Sequence, residues 1–120
     1  MNLLFQEGKI GNMTLKNRIV MPPMCMYKSD NSGELKIFHK THYLTRAIGG
    51  VGFIIVEATA IEPRGRISDA DLGLWEDSQI IQHQELNKDI HFFGAKTAIQ
   101  IAHAGRKSTV KDTTPIAPSA

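Results

Sequence analysis

Two apolar runs set the terms on which this chain can fold. GFIIVEATAI, residues 52–61, and AKTAIQIAHAG, residues 95–105, are built from small, β-branched and other apolar residues, with few polar ones between. A strand with one wet face alternates polar and apolar residues. A continuous run instead fits a strand buried on both faces, which is the condition of parallel sheets covered by helices. Parallel strands need a crossover, and the residues before each run supply one.

In IFHKTHYLTRAIGG, residues 37–50, Ile37, Leu44 and Ile48 stand seven and four apart and Tyr43 and Ala47 four apart, so the spacing predicts a helix with these residues in its stripe. Gly49-Gly50 closes it. A second helix is expected from a cap at Asp77 or Ser78 to about Phe93, with Leu86, Ile90 and Phe93 facing the core and Gly94 ending it. Nearer the N-terminus, Gly11-Asn12 marks a hairpin turn at about residues 8 to 16. A short buried strand from Arg18 to Met21 then ends at Pro22-Pro23, which cannot donate to a ladder.

The order strand, helix, strand, helix, strand is that of an α/β protein with a parallel sheet and right-handed crossovers. Neither GxGxxG nor GxxxxGK[ST] follows a strand, which favours a barrel over a nucleotide-binding doubly wound sheet. A complete eight-stranded barrel takes about 250 residues. The chain has 120, so residues 1–120 are expected to form the N-terminal portion of a single TIM (β/α)8 barrel, about three βα units plus the hairpin, with apolar edges left open.

Charge excludes some functions. Fourteen basic and 12 acidic residues nearly cancel and no basic cluster stands out, so neither nucleic acid nor an anionic membrane is an expected partner. The N-terminus has no basic start followed by a long apolar run, and one cysteine cannot form an internal disulfide; both fit a cytoplasmic protein.

In a barrel the chemistry gathers where strands end. VMPPMCMY, residues 20–27, follows the first strand; Glu57, Ala58 and Thr59 end the second; Gln100, His103 and Arg106 end the third. This rim holds no carboxylate pair at hydrolase spacing, no His-x-His or Cys-x-x-Cys metal signature and no nucleophile elbow. An amide, a thiol, a phenol and small residues remain, a set suited to tuning a cofactor that brings its own chemistry. Glu57 and His103 are expected to make internal polar contacts, His39 and His42 to sit on the surface or pack the helix, and Trp75 to anchor the loop before the second helix. Arg106 and Lys107 are read as a solvated pair or as support for a phosphate, and no metal is expected.

NRIVMPPMCMY, then GFIIVEATAI with GRISDADLGLW, then IQIAHAGRK resemble, in that order, the start of the Old Yellow Enzyme family of FMN-dependent ene-reductases, in its bacterial NADPH dehydrogenase branch. The resemblance spans essentially the whole chain. It implies a TIM barrel with FMN at the carboxyl-terminal rim, NADPH as reductant, and an α,β-unsaturated carbonyl or related nitro compound as substrate. Pro22, Pro23, Met24 and Cys25 would line the flavin, the thiol lying toward its carbonyl side. Ala58 would form a small wall, Gln100 would pair with the pyrimidine edge, and Tyr27 would reach the substrate. The resemblance also implies a dimer or tetramer for a full-length parent. Family residues that bind the substrate carbonyl and the phosphate have no counterpart among these 120 residues, so the chain alone is expected to be inactive. Two alternatives stand beside this reading: the barrel segment of a dienoyl-CoA reductase or amine dehydrogenase, and a non-catalytic chain that self-associates through its edges.

Overall fold

A computed structural model of the chain describes residues 2–119. The expected hairpin is present: β1 (Gly8–Ile10) and β2 (Met13–Leu15) pair antiparallel, with Gly11 at φ +55° in the turn. β3 (Val20–Met21) is shorter than the expected strand. Asn17 and Arg18 are used elsewhere, Asn17 Nδ2 donating to Gly50 O at 2.7 Å and Arg18 N to Leu4 O at 3.0 Å.

The first helix, α1 (Ile37–Ile48), has the expected bounds, and of its expected stripe Tyr43 and Ala47 are buried and Leu44 packs partly against the core. His39, Tyr43 and Ala47, four apart, point inward, whereas Ile37 and Ile48 are 78% and 62% exposed. At about 3.6 residues per turn, Ile37 and Ile48 fall on the side of the helix opposite Tyr43. His39 is therefore a core residue. The second helix, α2 (Ile80–Phe92), buries Leu86 and Ile90 and leaves Phe93 partly exposed beyond its end. Its start is organised by Gln79 rather than by Asp77 or Ser78. The Gln79 Oε1 accepts from the amides of Trp75 and Glu76 at 2.7 and 3.0 Å, and its Nε2 donates to Ser32 O at 2.8 Å.

The sheet is parallel and centred on β4 (Phe53–Ala60). On one side β4 pairs with β3 and, at its far end, with β5 (Leu72–Gly73); on the other it pairs with β6 (Lys96–Ala102). Met21, Ile54 and Val56 from the strands meet Tyr43, Ala47, Leu86 and Ile90 from the helices in one cluster. β4 is buried almost throughout, as its run requires. β6 corrects the expectation of a third buried strand: its residues are exposed or half-buried, because β4 alone pairs with it among the described residues and its helix-free face is open. No helix is long and apolar enough to cross a membrane among the described residues.

One irregularity in the β4–β6 ladder decides where side chains point. Val56 pairs with Ile99 and Thr59 with Ile101, so Glu57 and Ala58 together stand opposite Gln100 alone. That extra residue is a β-bulge, which bends a strand and re-aims its side chains. Val56 and Glu57, neighbours in sequence, both reach the α1 side: Val56 packs in the core cluster with Tyr43, and Glu57 bonds to the Tyr43 hydroxyl. In a regular strand they would face opposite ways. Past the bulge, alternation puts Ala58 and Gln100 together on the face away from the helices.

Candidate active site at the strand ends

The segment after β3 crosses the end of β4. Pro22 and Met24 are exposed, Pro23 and Cys25 half-buried, and Tyr27 lies about half exposed at 48%. The Cys25 sulfur stands beside the Ala58 amide and the Tyr27 hydroxyl. Tyr27 itself takes φ +53°, a left-handed conformation that a residue with a Cβ adopts at a cost of about 1–2 kcal/mol. Such strain gathers at functional sites and persists only where the surroundings hold it.

Electrostatics keep the thiol protonated. Burial pushes the Cys25 thiol up from its ordinary range, the Ala58 amide opposes this, and the charges of Asp71 and Glu57 add to the upward push. A cysteine poised for nucleophilic attack sits in the opposite setting, beside cations or a helix N-terminus that stabilise thiolate. This thiol is set to stay protonated. The Tyr27 phenol is likewise held up, first by Cys25.

Gln100 departs from its expected setting. It lies on the same face as Ala58, as the register requires, but it is exposed, and its amide has no side-chain hydrogen bond among the described residues. The face it occupies has nothing packed over it there, so both amide functions are free to meet a ligand. Cys25, Tyr27, Ala58 and Gln100 thus share one corner of the sheet. His103 is placed nearby as a structural residue: its Nδ1 accepts from Gly105 N at 2.9 Å, and its Nε2 meets Glu62 Oε1 at 2.7 Å. Arg106 and Lys107 are exposed in a single 3₁₀ turn.

Sequence reasoning missed the groups that hold the long loop behind this corner. Arg66 is 5% exposed. Its Nε donates to Pro63 O at 2.9 Å and its Nη1 to Asp69 O at 3.0 Å, while the guanidinium lies 5.3 Å from the centre of the Trp75 ring. Asp71 accepts from Ile67 N at 2.8 Å and from the Ser68 hydroxyl at 2.9 Å. Trp75 lies so close over Gly73 that a Cβ there would overlap the indole, which makes glycine obligatory at that position and bears out the anchoring role of Trp75. A buried arginine in a loop leaves no periodic signal, although the density of polar residues in GRISDAD hinted at a folded loop.

The sequence matches the profile of the NADH:flavin oxidoreductase / NADH oxidase family over residues 3–120. It is 56% identical over 117 residues to a NADPH dehydrogenase of Clostridium acetobutylicum, a match that covers 98% of this chain and 34% of that protein. Among solved structures, morphinone reductase in complex with tetrahydroNAD superposes with a TM-score of 0.87 at 31% identity, over 100% of this chain and 33% of that one. An Old Yellow Enzyme homologue from Zymomonas mobilis gives 0.85 at 30% identity, over 99% and 34%. The chain therefore spans about a third of the length of these relatives.

Proposed function

The chain belongs to the NADH:flavin oxidoreductase / NADH oxidase family, and on that premise we infer that it supplies the first three strands of a TIM barrel whose rim binds FMN. The activity of the parent domain is NADPH-dependent reduction of activated C=C bonds in α,β-unsaturated carbonyl compounds. FMN, when bound, accepts hydride from NADPH and delivers it to the alkene. The observation that carries this reading is the convergence of Cys25, Tyr27, Ala58 and Gln100 on one corner, with a thiol held protonated and an amide left unpartnered.

These groups fit a flavin. Ala58 presents no bulk beyond Cβ, so a flat ring approaches the strand closely. The Gln100 amide donates and accepts, matching the mixed polar edge of a pyrimidine ring. The Cys25 thiol, with Pro22, Pro23 and Met24 before it, lines the ring and offers a weak donor toward charge that develops on reduction. Tyr27, exposed and beside the thiol, orients the substrate carbonyl.

The test joins this chain to the remaining two-thirds of the clostridial relative. The purified chimera is expected to be yellow and to oxidise NADPH when 2-cyclohexenone is added. Gln100→Leu is expected to lower FMN retention at least tenfold by removing a two-way hydrogen bond. Tyr27→Phe is expected to slow enone reduction while flavin content holds. A folded chimera that retains no FMN would sink the reading.

A further inference from the structure

Behind the rim lies a buried polar group that the flavin reading leaves unused. Glu57 is 1% exposed, as is Tyr43, and His39 is fully buried. Glu57 Oε1 accepts from the Tyr43 hydroxyl at 3.2 Å, and Glu57 N donates back to the same hydroxyl oxygen at 2.9 Å. Its second oxygen, Oε2, accepts from the Met26 amide at 3.0 Å. His39 Nδ1 accepts from the Lys36 amide at 3.1 Å, so in the neutral ring the proton sits on Nε2, which faces Glu57 Oε1 at 3.8 Å and has no hydrogen-bond partner among the described residues.

The importance of Met26 follows from what surrounds it. Pro22 and Pro23 have no amide proton. Among the described residues, the Met26 amide is the one backbone donor between Met24 and Lys28 with a hydrogen-bond partner. It sits directly between Cys25 and the left-handed Tyr27. The bulge in β4 is what turns the Glu57 carboxyl toward this place.

We propose that Glu57 is a positioning residue for the rim: its carboxyl, oriented by Tyr43, clamps the Met26 amide and so holds Cys25 against Ala58 and Tyr27 in its left-handed turn. A carboxyl buried at this depth costs stability, and an apolar side chain of equal length would fill the space. What the apolar chain cannot do is accept the Met26 proton. The geometry of the clamp stands on this chain's own contacts. Only the ligand that the clamped thiol meets rests on the flavin reading.

Cys25 is the sole cysteine, so alkylation by iodoacetamide reports on it alone. On the full chain without flavin, Glu57→Met is expected to raise the alkylation rate about tenfold, and Glu57→Gln, which keeps an acceptor for Met26, to return it to within about twofold of the native rate. Ile90→Val loosens the same core without removing any hydrogen bond of the clamp and is expected to leave the rate unchanged. Native alkylation in folded Glu57→Met, or equal acceleration in Glu57→Gln or Ile90→Val, overturns the proposal. Should Glu57→Met fail to fold, Tyr43→Phe decides, with acceleration of about threefold supporting the clamp and a native rate refuting it. A failure to bind FMN in the chimera would leave these rates untouched, so the two readings fail separately.

Discussion

β4 and β6 are neighbours of nearly equal length and similar composition, FIIVEATA against KTAIQIA, yet one is buried almost end to end and the other is open. Each holds one carboxyl- or carboxamide-bearing residue amid the apolar run near its carboxyl end. On β4 it is Glu57, sealed behind the rim with each carboxyl oxygen accepting a hydrogen bond. On β6 it is Gln100, exposed and without a side-chain hydrogen bond among the described residues. The contrast shows what an apolar run reports. It gives the strand and the faces it can tolerate covering, while the cover itself comes from elements elsewhere.

The difference is sharpest in what each strand contributes to stability. Ile54→Ala on β4 is expected to cost about 3 kcal/mol through lost burial and a residual cavity. Ile101→Ala on β6, where the side chain is 68% exposed, is expected to change stability by less than about 0.5 kcal/mol. Urea denaturation of both variants checks this, and equal costs would break the comparison.

The buried side also carries a pH signature. Burial drives His39 down to about 4 from an ordinary 6.5. Between those values the unfolded state binds the extra proton, so stability contributed by neutral His39 is complete above pH 6.5 and is lost as pH falls toward 4. The loss reaches at most about 3 kcal/mol. Burial depresses His83 in the same sense, and it raises Glu57, whose contribution runs the other way as pH rises above its ordinary value. The difference between the native chain and His39→Leu, followed by thermal melts from pH 4 to 7, isolates the His39 component; its slope is expected to vanish in the variant. The hydrogen bond to the Lys36 backbone opposes the lowering of the His39 pKa, while the charges of His42, Lys36 and His83 add to it.

Tyr43→Phe is a smaller perturbation. It strands the Glu57 amide and one carboxyl oxygen, for an expected cost of about 1–2 kcal/mol in a denaturation midpoint. Gln100→Leu closes the series: on β6 it is expected to alter stability by less than about 0.5 kcal/mol, its effect being reserved for ligand.

Much of the frame was legible in the sequence. The hairpin turn at Gly11, the bounds of α1, the double-sided burial of β4 and the gathering of Cys25, Tyr27 and Ala58 all follow from period, turn chemistry and chain order. The stripe of α1 was right at Tyr43 and Ala47 and wrong at Ile37 and Ile48, which outweigh a histidine on any hydrophobic scale although His39 holds the spacing that points at the sheet. The exposure of Gln100 was not legible, since a run of apolar neighbours does not state what lies across the strand. Nor was the bulge, because a pairing offset belongs to two strands at once and leaves no mark in either alone.

That offset has a consequence for how the chain tolerates change. Upstream of Val56 the odd and even positions of β4 face one way, and downstream of Glu57 they face the other, so the strand carries a half-step of phase. Deleting either bulge residue would restore a regular ladder in which Thr59 and Ala60 keep their orientation, while the Glu57 carboxyl is lost or turned to the face away from the helices. A one-residue deletion here would therefore cost the rim its clamp even with every surrounding side chain kept.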